Sequence, residues 1–208
     1  MWFNSLLAKG LIPDWILRRG VRGQGKERLN MMKKADSAEE YTDFIKEASC
    51  GNIAVNTDDA NNQHYEVDSE FFKHCLGKNL KYSCCFWDDD TPDLDSAEDK
   101  MLEIYSKRAE IVDGMKILDV GCGWGSLSLY LAKKFPKSEI TGVSNSSSQK
   151  KFIDGLALKR NITNLKVITK DINEFRTKEK YDRILSIEMF EHTKNTKKLN
   201  AFKEIATR

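Results

Sequence analysis

Residues Met115–Gly125 read MKILDVGCGWG, a short apolar run that leads directly into a glycine-rich turn. The run around Ile117 and Leu118 suits a strand buried on both faces, and the stretch WGSLSLYLAKKF, from Trp124 onward, has helical spacing. A glycine turn between a strand and a helix lets a ligand approach the backbone, and the first amides of the helix point towards it. We therefore interpret the turn as a ligand-binding cradle; the alternative is an ordinary tight turn.

Asp119 lies two residues before Gly121, at the carboxyl end of the predicted strand. A dinucleotide-binding turn receives a pyrophosphate at this point, and a carboxylate so close would repel it. An acid here suits a cationic ligand instead. S-adenosylmethionine carries a sulfonium and an ammonium group, so we predict that this cofactor binds at the turn.

The composition of the 208 residues allows one or two domains with a substantial core. Lys and Arg number 34 and Asp and Glu 32, a near balance that predicts neither a nucleic-acid partner nor an anionic membrane. The five cysteines form no C-x-x-C pair, which predicts no metal site and a reducing, cytoplasmic setting. The opening residues are interrupted too soon, by Lys9, for a signal peptide, and no apolar run approaches the roughly 20 residues of a transmembrane segment.

Residues 1–94 are predicted to form a helical N-terminal cap and a linker. Pro13 can start a helix over Asp14–Met32, whose basic face we interpret as solvated surface rather than as a membrane contact, since three glycines weaken a long amphipathic helix. A capping box at Ser37–Glu40 indicates a further helix, and the polar run Cys50–Gln63 indicates a loop.

Two more helices are predicted before the glycine turn. Ser69 can cap the short helix FFKHCLG, and Asp95 with Glu98 can cap the longer helix DKMLEIYSKRAEIV, which opens a second domain over residues 95–208. In that domain helices alternate with four strands, the central one and Glu139–Val143, Leu165–Thr169 and Tyr181–Ile187. This alternation predicts an α/β fold with a Rossmann-like parallel sheet.

The residues that directly follow the predicted strands should line one crevice, because the carboxyl ends of parallel strands meet at the same edge of a sheet. They are Asp119–Gly123, Ser144–Asn145, Lys170–Ile172 and Ile187–Glu188. Asp171 can accept a hydrogen bond from an adenine amino group while Ile172 packs on the ring. Asn145 and Gln149 can reach ribose hydroxyls; the alternatives for them are a helix cap and a surface residue.

The segment EMFEH, which follows the fourth predicted strand, contains Glu188, Glu191 and His192. If a helix begins here, spacings of three and four residues place these side chains on one face. Carboxylates beside an imidazole can hold an ammonium ion and take its proton, which frees an amine lone pair to attack a methyl group. The alternative is that the acids only favour the positive end of a helix dipole. The spacing does not decide between the two.

Five segments in order resemble the cyclopropane fatty acid synthase superfamily, and within it the coclaurine N-methyltransferase type: QHYEVDSEFF, LKYSCCFW, ILDVGCGWGSLSLYLA, TGVSNSSSQKKFI and YDRILSIEMFEH. The resemblance covers about residues 60 to 200 and implies a class I methyltransferase fold. It also implies contacts with S-adenosylmethionine, which are Tyr82, Ser83, Asp119, Gly121, Cys122, Gly123, Asn145, Gln149, Asp171, Ile172 and Ile187.

Two catalytic alternatives follow from the resemblance. In the N-methyltransferase members Glu188, Glu191 and His192 would orient and deprotonate a small amine. In the lipid-modifying members, which transfer a methylene to unsaturated phospholipid acyl chains, Glu191 and Cys84 would help hold a bicarbonate that serves as the base. Those members usually read GMFEH here, so the acid at position 188 favours an amine substrate.

Members of this superfamily continue well beyond the position that matches Arg208. We therefore expect the sequence to be a fragment or a naturally shortened product that stops in the fourth crossover helix and leaves its last strand as an unpaired apolar edge. A third hypothesis is accordingly a chain that binds the cofactor or a partner chain without catalysing a reaction. A homodimer is also left open.

Overall fold

A computed structural model describes residues 4–34, 42, 46, 49–54, 69–189, 193–195 and 205–206. Contacts divide the chain into two compact units, Met1–Glu47 and Ala48–Arg208. The domain boundary predicted after residue 94 stays a prediction.

The described part of the N-terminal unit includes the helices α1 over Asn4–Ala8 and α2 over Asp14–Lys34. The helix predicted after Pro13 is confirmed, and it runs through all three glycines. An ion pair between Arg18 and Asp14, one turn apart, supports its first turns. The capping box predicted at Ser37–Glu40 lies outside the described residues. None of the helices in the described ranges combines the length and the apolar content that crossing a membrane requires.

Among residues 69–115 of the second unit, two helices precede the central sheet, α3 over Ser69–Cys75 and α4 over Leu94–Arg108. The predicted cap of α4 is wrong by two residues, because Asp93 caps the helix and accepts a hydrogen bond of 2.8 Å from the Ser96 amide. The carboxylates of Asp95 and Glu98 instead accept hydrogen bonds from the backbone of the loop at residues 77–81. That loop lies about 20 residues earlier in the sequence, so local spacing could not show that its backbone amides need these carboxylates as acceptors.

Within the described residues the central sheet has four parallel strands, which are β2 over Lys116–Val120, β3 over Glu139–Ser144, β4 over Leu165–Thr169 and β5 over Arg183–Leu185. Their order in the sheet is β4-β3-β2-β5. The crossover helices after β2 and β3 are α5 over Ser126–Lys134 and α6 over Ser147–Lys159. The chain moves outward from β2 through β3 to β4 and then returns to the other side of β2, so the strand order reverses between β2 and β5. The predicted α/β fold is confirmed, and this reversal marks the edge where ligands bind in such sheets.

Strand β2 is buried on both faces of the sheet, as its apolar run predicts. On one face Ile117 packs in a core with Leu102 of α4 and Leu131 of α5. On the other face Leu118 packs with Val143 and others. Because successive side chains of a strand alternate between the faces, two adjacent apolar residues join two separate cores and hold β2 at the centre of the sheet.

A second, two-stranded sheet pairs β1, Ser49–Ala54, antiparallel with β6, Thr193–Asn195. The prediction of a loop from Cys50 onward is therefore wrong up to residue 54, and residues 55–63 lie outside the described residues. The strand at residues 193–195 leaves only the residues after Asn195 for the crossover helix expected at the end of the chain, and most of these lie outside the described residues. The segment SCGNIA has no apolar alternation, so its pairing depends on a partner far along the chain.

The edge of β5 differs from the predicted unpaired strand. Tyr181 forms a parallel bridge with Ala206, and its amide donates a hydrogen bond of 2.8 Å to the Ile205 carbonyl. The strand itself is shorter than predicted, because Ser186 leaves the ladder and its hydroxyl donates to the Val120 carbonyl. The chain therefore turns across the end of β2 directly after β5, which brings Ile187 and the next residue over the sheet edge.

Candidate active site

The glycine turn after β2 has a backbone that ordinary side chains would strain. Gly121, Gly123 and Gly125 have φ values of 76°, 53° and 82°, in the left-handed region. The amides of Gly121 and Cys122 both donate to the Val143 carbonyl, at 2.9 and 3.0 Å. This pairing bends the turn towards β3 and leaves its outer surface open to a cavity.

Asp119 is buried beneath this turn and is 2% exposed. Its Oδ2 accepts a hydrogen bond of 2.6 Å from the hydroxyl of Ser128 on α5. Burial raises the pKa of Asp119 to about 6, an effect that the hydrogen bond from Ser128 partly offsets. Within the part of the chain that the structure describes, this buried carboxylate has one neutral donor, Ser128, and is therefore poorly compensated. A cationic ligand at this point would stabilise it.

A cavity beside the turn brings together four segments of the described chain, which are residues 80–83, residues 102 and 105 of α4, residues from 119 to 127, and residues 187–188. The predicted cofactor residues on its wall are Tyr82, Ser83, Asp119, Gly121, Cys122, Gly123 and Ile187. Glu188, predicted as catalytic, lines the same cavity. Three of the predicted clusters are therefore neighbours in space.

Four predicted cofactor residues lie off this cavity wall, after β3 and β4. Gln149 is 1% exposed, so its alternative interpretation as a surface residue is wrong; its Oε1 accepts a hydrogen bond of 2.6 Å from the Ser144 hydroxyl. Asn145 is half-buried and is not the cap of α6, because Ser146 is. Both residues stay predicted ribose contacts.

Asp171 and Ile172 follow β4 and are half-buried. The Oδ1 atom of Asp171 accepts a hydrogen bond of 2.7 Å from the Asn173 amide, and Ile172 packs against the core that contains Val120 and Val143. These contacts hold both residues at the carboxyl edge of the sheet, and their roles towards an adenine ring stay predictions.

The predicted catalytic residues are only partly described. Glu188 has φ of 48° and its Oε1 accepts a hydrogen bond of 2.7 Å from the Cys84 amide, while Phe190, Glu191 and His192 lie outside the described residues. Its left-handed backbone shows that Glu188 is not itself a helical residue. The common face that Glu188 would share with Glu191 and His192 if a helix begins here stays a prediction. A hydrogen bond that the Cys84 thiol donates to the Glu188 carboxylate raises the pKa of this thiol.

Two residues near Glu188 were missed by the sequence reasoning. Lys81 is buried, and its ammonium group donates to the Cys84 carbonyl at 2.5 Å and to the Tyr105 hydroxyl at 3.2 Å. Burial lowers the pKa of Lys81, and burial together with the nearby Glu188 charge raises the pKa of Tyr105 to about 12. A lysine within the polar stretch before Y-S-C carries no local signal that its side chain will be buried.

Buried polar atoms without a partner test whether the site fits the predicted cofactor. Within the described residues these atoms are Trp124 Nε1, Ser126 Oγ and Gln149 Nε2. Trp124 and Ser126 lie on the cavity wall, and each of the three atoms can donate a hydrogen bond to a hydroxyl or carboxylate oxygen. Together with the anionic Asp119, this donor set fits an amino-acid and ribose ligand with a positive charge. Among the described residues no cluster of His, Cys, Asp or Glu has the arrangement of a metal site.

The strand order, the glycine turn and the acid at the end of β2 define the class I methyltransferase fold. The chain belongs to the mycolic acid cyclopropane synthetase family, whose sequence model matches residues 54–208. The family resemblance seen in the motifs is thereby confirmed.

Individual relatives carry more specific names. The chain is 41% identical over 192 residues to (S)-coclaurine N-methyltransferase of Thalictrum flavum subsp. glaucum, covering 91% of this chain and 53% of that protein. It is 33% identical over 130 residues to cyclopropane-fatty-acyl-phospholipid synthase of Escherichia coli (strain K12), covering 62% and 32%. The chain spans about half the length of the curated N-methyltransferases it matches.

Solved structures of both kinds of relative, an N-methyltransferase and a cyclopropane synthase, also match the chain. Coclaurine N-methyltransferase bound to N-methylheliamine and SAH matches with a TM-score of 0.81 and 36% identity, over 95% of this chain and 59% of that one. A mycolic acid cyclopropane synthase complexed with SAH and CTAB matches with a TM-score of 0.56 and 29% identity, over 62% and 45%.

Proposed function

We propose that this chain supplies the cofactor side and part of the substrate side of an S-adenosylmethionine-dependent methyltransferase that methylates the nitrogen of a small amine. The observation that carries the proposal is that two carboxylates, Asp119 and Glu188, line one cavity beside the glycine turn. Two acids suit two cationic partners, the cofactor and a protonated amine. The similarity to the N-methyltransferases supports the same assignment.

On the cofactor side, each polar group has a complementary role. When bound, S-adenosylmethionine supplies an electrophilic methyl group on its sulfonium sulfur. Asp119 would balance the positive charge of the ligand, and the free donors on Trp124 and Ser126 would bind its carboxylate oxygens. The free amide nitrogen of Gln149 would donate to a ribose hydroxyl. The other proposed cofactor contacts are Tyr82, Ser83, Gly121, Cys122, Gly123, Asn145, Asp171, Ile172 and Ile187.

On the substrate side, Glu188 would hold the ammonium form of the amine at the cavity and accept its proton, which leaves the nitrogen lone pair free. Its carboxylate is already oriented by the Cys84 amide, so part of the entropic cost of positioning is met before the substrate arrives. Glu191 and His192 remain proposed partners in holding and deprotonating the amine.

The alternative is methylene transfer to an unsaturated phospholipid acyl chain, with bicarbonate as the base. The family model and the similarity to the Escherichia coli synthase support it. It would use Cys84 to help hold bicarbonate, whereas the Cys84 amide donates to the Glu188 carboxylate. The Glu188 carboxylate thus already accepts the hydrogen bond from the Cys84 amide, which favours methylation of an amine over the bicarbonate-dependent reaction.

Incubation with methyl-labelled S-adenosylmethionine separates these functions. One arm contains a panel of primary, secondary and tertiary amines, and the other contains vesicles of unsaturated phospholipid with bicarbonate. Label in an amine is the expected result, and label in lipid alone would replace the proposal with the alternative. Binding of S-adenosylhomocysteine in a calorimeter without turnover in either arm would favour the third hypothesis, a non-catalytic binding chain.

We further propose a cytoplasmic location and no nucleic-acid partner. The cysteines at positions 75, 84, 85 and 122 are free thiols, which suits a reducing compartment. The homodimer left open by the sequence is tested by light scattering on a size-exclusion column, where a mass near twice 23.9 kDa would support it.

A further inference from the structure

Lys81 is a buried lysine beside the proposed catalytic carboxylate, in the loop that connects α3 and α4. It is 3% exposed, and its own amide donates a hydrogen bond of 3.0 Å to the buried carboxylate of Glu98. An ammonium group removed from water must find other acceptors, since burial of an unpaired charge is strongly unfavourable. The groups that accept hydrogen bonds from the Lys81 ammonium group therefore indicate its role.

The ammonium group of Lys81 donates to three acceptors among the described residues. They are the hydroxyl of Ser83, the carbonyl oxygen of Cys84 at 2.5 Å and the hydroxyl of Tyr105 at 3.2 Å. It also lies 5.0 Å from the centroid of the Tyr105 ring, within cation–π range. Tyr105 belongs to helix α4, so the cation ties the loop at residues 83–84 to a rigid element.

The two loop acceptors flank one peptide group. Along the chain, the Ser83 side chain precedes the peptide bond that carries the Cys84 N–H, and the Cys84 carbonyl follows it. Holding both fixes the direction of that N–H, which donates to Oε1 of Glu188 at 2.7 Å. A continuous chain of contacts therefore runs from the ammonium group through the peptide to the carboxylate.

We propose that Lys81 is a positioning residue, whose ammonium group orients the peptide between Ser83 and Cys84 so that the Cys84 amide holds the Glu188 carboxylate at the cavity. The catalytic consequence rests on the proposed function of Glu188, whereas the contact chain itself does not. Lys81 does not need to touch the cofactor or the substrate to act in this way.

The charges around Lys81 agree with this role. The titratable groups that face it come from its own loop, from α4 and from the segment after β5: Cys84, Cys85, Glu98, Tyr105 and Glu188. In turn, the Lys81 charge lowers the pKa of Cys84, while Glu188 raises it. The Cys84 thiol is exposed, so its chemical reactivity reports on both neighbours.

Kinetics test the consequence for turnover. Lys81→Met removes the ammonium group and keeps the length of the side chain, and Lys81→Arg retains a cation. Lys78→Met is the control, because Lys78 belongs to the same loop but its exposed ammonium group pairs with Asp99 of α4. We expect Lys81→Met to lower kcat about 10- to 100-fold, the effect of a misplaced catalytic group, with a smaller change in affinity for S-adenosylhomocysteine. Lys81→Arg should restore part of kcat, and Lys78→Met should match the wild type.

A double-mutant cycle on Cys84 tests the contact chain without any need for activity. The rate of Cys84 alkylation by iodoacetamide is measured across pH by peptide mass spectrometry, with the exposed Cys75 as the internal control. Because Glu188 raises the pKa of Cys84, Glu188→Gln should move the alkylation midpoint to lower pH. If Lys81 keeps Cys84 in contact with Glu188, the shift of the alkylation midpoint caused by Glu188→Gln should largely disappear in a protein that already carries Lys81→Met.

Equal movement of the midpoint with and without Lys81→Met would overturn the inference, as would a wild-type kcat for Lys81→Met in an active enzyme. If no amine is methylated by the wild type, the proposed function fails and the alkylation cycle still decides the role of Lys81. Circular dichroism checks that each variant is folded. If Lys81→Met does not fold, Lys81→Gln takes its place in both experiments, since it removes the charge and keeps a hydrogen-bond donor.

Discussion

The backbone amide of Cys84 donates a hydrogen bond of 2.7 Å to the carboxylate of Glu188, across 104 positions of the sequence. The contact joins the loop before α4 to the segment that leaves β5. It brings the Y-S-C motif and the first acid of EMFEH to the cavity that also contains the glycine turn. A motif predicted to bind the cofactor and a motif predicted to act on the substrate are therefore parts of one constellation.

Replacing Glu188 with Gln tests the catalytic end of this constellation. We expect kcat to fall about 100-fold or more, because the amide cannot accept a proton, while the dissociation constant for S-adenosylhomocysteine changes little. Steady-state kinetics and calorimetry measure the two quantities. Glu139→Gln, at an exposed ion pair on β3, is the control. Equal losses of turnover and of cofactor affinity would remove the catalytic role.

Asp119 should make stability depend on pH in the direction opposite to that of most carboxylates. Its pKa is raised to about 6, so the folded protein retains the proton more firmly than the unfolded chain does. The destabilising contribution is absent below about pH 4, grows as pH rises through the interval up to 6 and reaches about 3 kcal/mol above it. Asp119→Asn should remove this contribution, so that the free energy of unfolding of the variant, relative to the wild type, rises between pH 4 and 6 in urea titrations.

The same variant should bind the cofactor more weakly at pH 7, because the balancing negative charge is lost. Calorimetry with S-adenosylmethionine measures this effect, and Asp113→Asn, on the loop before β2, is a control. Greater stability without weaker binding would mean that Asp119 does not face the ligand charge.

Alanine substitutions at Gly125 and Gly123 distinguish the effect of backbone strain on stability from the effect of packing in the glycine turn. A Cβ at Gly125 would lie 2.7 Å from Cγ1 of the buried Ile153, whereas a Cβ at Gly123 would meet no described residue within 4 Å. We expect Gly125→Ala to lower the free energy of unfolding by about 2 to 4 kcal/mol, from strain plus overpacking, and Gly123→Ala by about 1 kcal/mol from strain alone. Chemical denaturation measures both. Equal losses would show that contact with Ile153 is irrelevant.

Glu98 should be a structural requirement of the loop that carries Lys81. Its buried carboxylate accepts hydrogen bonds from three backbone amides, those of residues 77, 79 and 81, at 3.0, 2.7 and 3.0 Å. Glu98→Gln replaces one acceptor by a donor, so we expect a loss of about 1 to 3 kcal/mol in urea denaturation. The exposed Glu139→Gln should stay within about 0.5 kcal/mol. A loss as small as that of the control would contradict the role of Glu98.

The parts of the site that could be predicted from the sequence are those in which a short segment carries its own signal. The apolar run of β2, buried on two faces, and the glycine turn that follows it are such a segment, and the acid at position 119 was placed correctly beside them. The cap of α4 shows the limit of local signals. Several acids lie close together in DDDTPDLD, and any of them could cap the helix. Asp93 is the cap, while the Asp95 carboxylate accepts a hydrogen bond from the Lys78 amide of the preceding loop.

The sequence by itself determined the parallel sheet, its glycine turn and the family, because strand burial and turn chemistry act over a few neighbouring residues. The tertiary structure decided the pairing of β1 with β6, the burial of Lys81 and the contact between Cys84 and Glu188. Each of these joins segments whose own patterns are polar or irregular. Their stability comes from desolvated partners distant in sequence, and a partner of that kind leaves no mark on local spacing.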